Sequence, residues 1–344
     1  MVSTALLVDV VMLFVATGAI WVGSSWLEGA SEKLSTYYGL PEVVQGSVVA
    51  AIGSSFPELA TVVFAAVFAG TLELGVGAIV GSAIFNILVI PALAGVATED
   101  DIESSRTLVY KEAQFYMLAV SVLIITFSMA VIYYPDTGAD HIAGFVTRPL
   151  AAIPLAMYGL YVFIQFQDTA DHEADPDDRV GIDAGRQWRY LVGGIVVILA
   201  AVHQLVEALE ALGTEFGIPS FVLGVTIAAA ATSLPDTLVS VRAARDDRGV
   251  ASLANVLGSN TFDLLVAIPA GILIVGSTSI NFEMAVPMFA VLTLATIFLF
   301  TALRTDLSLS TAESVGLLVS YVLFVAWVVL ETVSSVVDYL PGGG

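Results

Sequence analysis

Long apolar stretches separated by short polar ones run along the whole chain. Each holds roughly 18 or more mostly apolar residues, which is long enough to cross a bilayer as a helix. We count ten of them, at about 4–27, 40–69, 74–97, 109–133, 146–166, 190–211, 218–243, 250–274, 283–303 and 313–336. The pattern predicts an all-α polytopic membrane protein with ten transmembrane helices, whose bounds we expect to hold within about four residues.

One long hydrophilic connection, residues 167–189, leaves five apolar stretches on each side. We therefore divide the chain into a first five-helix repeat at 1–166, an acidic cytoplasmic loop at 167–189 and a second five-helix repeat at 190–344. Because five is an odd number, the second repeat crosses the membrane in the opposite sense from the first.

The two halves share a polar motif in the middle of apolar sequence. Residues 53–58 read Gly-Ser-Ser-Phe-Pro-Glu, and residues 231–236 read Ala-Thr-Ser-Leu-Pro-Asp. Aligned without gaps, 39–58 and 217–236 are identical at 8 of 20 positions, which indicates an internal repeat. In this alignment Glu58 falls on Asp236.

A second shared motif follows the first in each half. Residues 81–86 read Gly-Ser-Ala-Ile-Phe-Asn, and residues 258–263 read Gly-Ser-Asn-Thr-Phe-Asp. Related halves of opposite orientation form an inverted repeat, and transporters built in this way bind their substrate near the midplane of the membrane, between the halves. We therefore expect one transport unit with a central site.

The basic residues orient the chain. With the N-terminus outside, ten of the eleven fall on the cytoplasmic side and only Arg148 falls outside, which satisfies the positive-inside rule. The ten are Lys33, Arg106, Lys111, Arg179, Arg186, Arg189, Arg242, Arg245, Arg248 and Arg304. We expect a multi-pass protein of the cell membrane with both termini extracellular.

Composition narrows the possibilities further. Hydrophobic residues make up 58% of the chain and charged residues 12%, and the mean hydropathy is +0.92, well outside the soluble range. The net charge of −21 is typical of proteins solvated for high salt, as in halophiles, more than of proteins that bind a basic partner. Nucleic-acid binding and thiol chemistry are excluded by the lack of a basic patch and of cysteine.

Two prolines predict broken helices at the centre of the protein. Inside a helix, Pro57 and Pro235 each remove a backbone hydrogen bond, which frees the carbonyls of Gly53 and Ala231. In lipid such carbonyls are tolerated only where they are buried in protein or line a polar cavity. Broken helices with free carbonyls at this depth are typical of cation sites in transporters.

Three carboxylates lie far from the ends of their apolar stretches: Glu58, Asp236 and Asp263. An ionised side chain at that depth costs about 2.5–3.5 kcal/mol or more, so such residues usually face a bundle interior and carry function. The alternative is a protonated carboxyl group hydrogen-bonded between helices. That alternative applies most to Asp263, because its counterpart in the first repeat is Asn86.

Hydroxyl and amide groups complete a candidate ligand set around these acids. The further candidates are Ser54, Ser55, Ser82 and Asn86 in the first repeat, with Thr232, Ser233 and Ser259 in the second. Any one of these serines and threonines could instead bond a helix carbonyl or pack helices closely. Together they offer only oxygen donors, which suit Na⁺ or Ca²⁺. His203, by contrast, is expected to be a packing residue.

The paired motifs resemble the alpha repeats of the cation/calcium antiporter superfamily, and the closest similarity is to the sodium/calcium exchangers. The resemblance implies exchange of Na⁺ for Ca²⁺ by alternating access through one central site, with no cofactor besides the transported ions. It implies that Glu58 and Asp236 are the main shared ligands. The other implied ligands are Ser55, Ser82, Ser233, Ser259, Thr232 and Asp263, with the carbonyls of Ala51 and Ala229.

The chain departs from the usual motif at four positions. Ser54 stands where threonine is frequent, Ala231 where glycine is frequent and Ala83 where asparagine is frequent, while Asp236 is shorter than the common glutamate. None of these changes removes a central oxygen ligand, but they bear on ion preference.

Three other functions compete with Na⁺/Ca²⁺ exchange. An H⁺/Ca²⁺ exchanger of the same superfamily would use the same carboxylates. An intramembrane aspartyl protease would need Asp236 and Asp263 as an acid–base pair, which leaves Glu58 unexplained. A passive cation channel would not need an inverted repeat. We therefore expect a transporter rather than an enzyme, with Ca²⁺, Na⁺ and the lipid bilayer as partners, and the sequence identifies no protein partner.

Overall fold

The computed structural model describes residues 4–40, 49, 51–69, 72–98, 100–168 and 181–338. Helices make up most of them. The helices are α1 Thr4–Tyr38, α2 Ala51–Ser54, α3 Phe56–Phe64, α4 Leu72–Ala97, α5 Ala113–Tyr133, α6 Arg148–Asp168, α7 Ala184–Phe216, α8 Ser220–Leu223, α9 Ala229–Thr232, α10 Leu234–Arg245, α11 Gly249–Phe262, α12 Ile268–Val275, α13 Phe282–Arg304 and α14 Thr311–Asp338. Single π-helical turns lie at Ala65–Ala69, Leu108–Glu112, Gly224–Ala228 and Asp263–Ala267.

The helices are long and apolar enough to cross a membrane. Among the described residues, eight helical spans meet this test, and the bent pair at Ser220–Thr232 and Leu234–Arg245 makes a ninth. The prediction of a polytopic membrane protein is therefore confirmed. The predicted stretch 40–69 is described only at its start, at residue 49 and from 51 onward, where it holds the shorter apolar helix Phe56–Phe68. The count of ten and the inverted repeat stay predictions.

Two helices extend beyond their predicted bounds on the side where α1 ends and α7 begins. The α1 helix continues from the apolar stretch 4–27 to Tyr38, because Glu28, Glu32 and Lys33 are compatible with a helix. Gly39, with φ +68, ends it in the left-handed conformation that glycine adopts readily. The α7 helix begins at Ala184, where the Asp183 side chain accepts a hydrogen bond from Arg186 N at 3.0 Å.

The centre of the fold is α4. Nearly all of its side chains are buried, which agrees with its apolar character on every face. The largest hydrophobic cluster combines α4 with parts of α5, α11, α12, α13 and α14. At the periphery, large apolar side chains face outward, including Phe14 (70% exposed), Ile132 (68%) and Leu330 (69%), as expected of lipid-facing surface.

The α1 and α7 helices form a long antiparallel pair. Near the end of α1, Trp188 Nε1 donates to the Tyr38 hydroxyl at 3.2 Å. Farther along, the two backbones approach closely at Gly23 and Gly194: a methyl group on Gly23 would lie 3.1 Å from Gly194 O, and one on Gly194 would lie 2.6 Å from Gly23 O. Glycine therefore permits this crossing.

Two small antiparallel sheets join loops of the two halves, a feature that the all-α prediction did not include. Strand β1 (Ile102–Glu103) pairs with β4 (Ser308–Leu309), and Ile102 lies opposite Leu309. Strand β2 (Ala143–Thr147) pairs with β3 (Ser277–Asn281), and Ala143 lies opposite Asn281. The strands are short and lie beside much longer apolar stretches, so hydrophobic periodicity gave no signal for them.

Candidate ion-binding site

Two helix breaks, one in each half, form the centre of the candidate site. Ser55, with φ −86 and ψ 8, separates α2 from α3, and Ser233, with φ −80 and ψ −2, separates α9 from α10. In each case the next helix begins with a proline in its first turn, where the missing N–H costs little. The helix axis bends by 45° at the second break. The breaks lie where Pro57 and Pro235 predicted them.

Hydroxyl groups from the two halves are paired across the site. Ser54 Oγ lies 2.9 Å from Ser259 Oγ, and Ser82 Oγ lies 2.7 Å from Ser233 Oγ. Ser55 Oγ also donates to the Ser259 carbonyl at 3.4 Å. All five serines are buried, so each break in one half is bonded to the Gly-Ser motif of the other half.

An amide network lies beside these serine pairs. Asn86 Nδ2 donates to Asn260 Oδ1 at 3.0 Å, and Asn260 Nδ2 donates to Ala83 O at 3.2 Å and to the Tyr116 hydroxyl at 3.4 Å. Asn86 was a predicted site residue, whereas Asn260 and Tyr116 were not. Because Asn260 aligns with Ala83, the comparison of the repeats gave it no weight, and nothing in the sequence marks Tyr116.

The three predicted carboxylates are buried at the same place. Glu58 and Asp263 are 0% exposed and Asp236 is 1% exposed. Among the described residues, neither oxygen of any of these carboxylates has a hydrogen-bond partner. A buried polar group without a partner is costly, so each carboxylate needs a proton or a cation.

Each carboxylate faces polar groups, at least one of them from the opposite half. Thr232 and Ser82 interact electrostatically with Glu58 without reaching hydrogen-bond geometry. Ser54, Ser259 and Asn255 face Asp236 in the same way, and Ser55 faces Asp263. Asn255, which was not predicted, also donates to Ser240 Oγ at 3.2 Å. The carboxylates therefore alternate with hydroxyl groups from both halves.

A site in which hydroxyl groups lie between the carboxylates suits a hard cation better than a site built of acids alone. Within the described part of the chain, no three acidic or histidine side chains converge closely enough to hold one metal ion. Any ion bound here would combine carboxylate with hydroxyl or carbonyl oxygen, the donors that Na⁺ and Ca²⁺ accept.

Two further predicted ligands are engaged within their own helical segment. The Ala229 carbonyl accepts from Ser233 N at 3.0 Å and from Thr232 Oγ1 at 3.3 Å, and Thr232 Oγ1 lies 3.1 Å from Ala228 O. Both oxygens would have to share these bonds with an ion. Ala51, the other predicted carbonyl ligand, is the first residue of α2.

His203 lies outside this site. Its ring stacks on Phe64 with the centroids 5.6 Å apart and lies 5.2 Å from the ring of Phe68. These contacts agree with the packing role expected from the sequence.

Comparison with known proteins identifies the family of the chain. The model of the sodium/calcium exchanger protein family matches residues 8–167 and 187–330, which include both pairs of motifs and all three buried carboxylates. The chain belongs to the sodium/calcium exchanger family. The resemblance inferred from the motifs is thereby confirmed.

Two individual relatives of this exchanger-family chain each share about a quarter of the aligned residues with it. It is 26% identical over 267 residues to an uncharacterized membrane protein of Methanocaldococcus jannaschii, over 78% of this chain and 82% of that protein. It is also 26% identical over 281 residues to the putative antiporter CaxA of Alkalimonas amylolytica, over 77% of this chain and 81% of that protein.

A solved structure shares the fold of this family member. The sodium-calcium exchanger NCX_Mj, soaked with 10 mM Na⁺ and zero Ca²⁺, superposes with a TM-score of 0.64 over 93% of this chain and 99% of that chain. Sequence identity is 20%, so the match supports the architecture and not the identity of each ligand.

Proposed function

We propose that this protein is an antiporter that exchanges Na⁺ for Ca²⁺ by alternating access. The observation that carries the proposal is the set of three buried carboxylates, Glu58, Asp236 and Asp263, which lack partners among the described residues and alternate with hydroxyls of both halves. Membership of an exchanger family supports transport of cations through this set.

Charge balance explains why two kinds of ion would compete for one site. The ion pairs found among the described residues, such as Arg248 with Asp246, all lie outside the site, so cations must neutralise the three carboxylates. Three Na⁺ would balance three negative charges. One Ca²⁺ would leave one negative charge, and a proton on the least needed carboxyl group would remove it.

Asp263 is the carboxyl group that we assign to this proton. Its aligned position in the first half is Asn86, where a neutral amide is sufficient. Asp263 also faces the charges of both Glu58 and Asp236. A neutral Asp263 in the Ca²⁺-bound state would relieve that repulsion.

The central ligand set that we propose is the one predicted from the sequence. It comprises Glu58, Asp236, Asp263, Asn86, Ser54, Ser55, Ser82, Thr232, Ser233 and Ser259, with the carbonyls of Ala51 and Ala229. The serine pairs that cross between the halves give alternating access a physical basis, because each pair can separate on one side while the other holds.

Ten spans in two inverted repeats, at 1–166 and 190–344 around the loop 167–189, are part of the same proposal. Both termini would be extracellular. The small sheets support this arrangement of sides, because β1 and β4 belong to loops expected in the cytoplasm and β2 and β3 to loops expected outside.

The second candidate function is H⁺/Ca²⁺ exchange through the same carboxylates. Sodium coupling is favoured because serine hydroxyls line the site, and a proton would need only the carboxylates. The test is ⁴⁵Ca²⁺ uptake into proteoliposomes under an outward Na⁺ gradient compared with an outward H⁺ gradient. Uptake driven only by Na⁺ is expected, and uptake driven only by H⁺ would favour the second candidate.

A further inference from the structure

One buried acid outside both repeated motifs lies beside the central site. Glu28 of α1 is half-buried, and its Oε1 is fully buried without a hydrogen-bond partner among the described residues. None of the ion pairs of the described chain includes Glu28. The electrostatic neighbours of this carboxylate are Asp236 and Glu32, both acidic.

Glu28 belongs to a row of polar residues on one face of α1, which we call the α1 polar row. Its members are Ser24 (0% exposed), Glu28, Ser31 (8%) and Ser35 (2%). Spacings of four, three and four residues place them on one side of a helix. Ser24 Oγ is buried and, like Glu28 Oε1, has no hydrogen-bond partner in the described chain.

The α1 polar row faces the segments that carry the central ligands. The α1 helix contacts α2, α9 and α10. A methyl group on Gly53 of α2 would lie 3.7 Å from Cγ of Glu28 and 3.8 Å from Ser31 Oγ. Gly53 immediately precedes Ser54, whose hydroxyl is bonded to Ser259. The row thus runs from the central site toward the Tyr38 end of α1.

The corresponding face of α7 is apolar. At the crossing of the two helices, a methyl group on Gly23 would lie 3.2 Å from Ile198 N, and one on Gly194 would lie 3.0 Å from Leu27 N, so each glycine meets the residue four positions after the other. By this reciprocal relation Gly23 is equivalent to Gly194, so the position on α7 that is equivalent to Glu28 is Leu199. The α7 positions equivalent to the whole row are apolar: they are Ile195, Leu199, Val202 and Val206, in the order of Ser24, Glu28, Ser31 and Ser35.

The apolar face of α7 packs into a hydrophobic cluster with Phe56, Ala60 and Phe64. A cation would therefore find carboxylate and hydroxyl oxygen along the α1 polar row and hydrocarbon at the equivalent α7 positions. Glu210 of α7, whose Oε1 is also buried without a partner in the described chain, lies one turn beyond those positions. The row beside α1 and the equivalent positions of α7 therefore differ in polarity, which makes the two approaches to the site unequal.

We propose that Glu28 is a relay site for the transported cation on the route between Asp236 and the Tyr38 end of α1, which we expect to be cytoplasmic. This inference rests on the proposed function. Glu32 lies one turn farther along α1, but it is exposed and outside the α1 polar row, so it is not part of the relay. A carboxylate with serine oxygens can bind a hard cation briefly, which raises the local concentration of the cation beside the central site.

The test is the Michaelis constant for Ca²⁺, measured separately at each face of the full-length protein. Na⁺-driven ⁴⁵Ca²⁺ uptake is recorded in right-side-out and inside-out membrane vesicles for wild type, Glu28→Gln and Glu32→Gln. The last variant is the matched control, because it removes the same charge one turn away at an exposed position. Glu28→Asp, which retains the charge, checks that an altered Michaelis constant follows from lost charge.

For Glu28→Gln we expect the Michaelis constant to rise on the order of ten-fold at the cytoplasmic face only. Glu32→Gln should stay near wild type at both faces, and Glu28→Asp should lie between wild type and Glu28→Gln. An equal rise at both faces would instead mean that Glu28 acts through the affinity of the central site, and no change would mean that it is not on the route. Either result overturns the relay. Wild-type vesicles without Na⁺-driven Ca²⁺ flux would contradict the proposed function itself.

Discussion

Substituting alanine for Gly81, which opens the first Gly-Ser motif, should destabilise the protein, whereas the same substitution at the exposed Gly159 of α6 should not. A methyl group on Gly81 of α4 would lie 2.6 Å from Val225 Cα and 2.7 Å from Val225 C, and would also meet the Val225 carbonyl oxygen. Gly159 lies on an exposed face of α6, and a methyl group there would meet no atom of the described residues within 4 Å. Backbone cannot rotate away as a side chain can, so only Gly81→Ala forces two helices apart.

The magnitudes follow from these contacts. Overpacking typically costs about 1–3 kcal/mol, and a clash with main-chain atoms belongs at the upper end, so we expect a loss of about 3 kcal/mol for Gly81→Ala. For Gly159→Ala we expect a gain of about 0.5–1 kcal/mol from the higher helix propensity of alanine. The two variants should then differ by about 3–4 kcal/mol in the free energy of unfolding.

Thermal unfolding in detergent, followed by intrinsic tryptophan fluorescence, measures this difference as an apparent midpoint at a fixed heating rate. Gly81→Ala should unfold several degrees below wild type, and Gly159→Ala at or slightly above it. Equal midpoints for the two variants would refute the packing explanation.

The remaining predictions concern the carboxylates. Glu58→Gln and Asp236→Asn should each abolish Ca²⁺ transport while the protein stays monodisperse in detergent, because each removes a ligand and a compensating charge. Transport near the wild-type rate in either variant would show that the ion site lies elsewhere. Saturating Na⁺ should weaken Ca²⁺ binding in isothermal titration, because both ions need the same carboxylates, and an unchanged affinity would argue for separate sites. Asp263→Asn should retain Ca²⁺ binding but alter the Na⁺ dependence of exchange, whereas a loss as complete as that of Glu58→Gln would make Asp263 a charged primary ligand.

Much of the membrane architecture and of the centre could be predicted from the sequence because the relevant signals are local. Pro57 and Pro235 each dictate a helix break within a few residues. Charge inside an apolar stretch is costly wherever it occurs, so Glu58, Asp236 and Asp263 stand out in one sequence without any structure.

Features that depend on contacts between distant segments could not be predicted. Asn260 bonds Asn86 and Tyr116, but neither Asn260 nor Tyr116 has a carboxylate's cost or a repeated partner to mark it. Glu28 lies just beyond the predicted stretch 4–27, so nothing marked it as a buried acid. The extension of α1 and the contact with Gly53 appear only after folding. Hydrophobic periodicity indicates that a residue is buried, but it does not indicate which helix covers that residue.

Counterflow of the two ions tests the central claim most directly. Proteoliposomes are loaded with ²²Na⁺ and diluted into Na⁺-free buffer with or without external Ca²⁺, beside matched vesicles containing Glu58→Gln. External Ca²⁺ should accelerate ²²Na⁺ release in wild type at constant pH, and the variant should not respond. Release from wild-type vesicles that does not depend on external Ca²⁺, or an equal Ca²⁺ response in Glu58→Gln, would contradict exchange through the buried carboxylates.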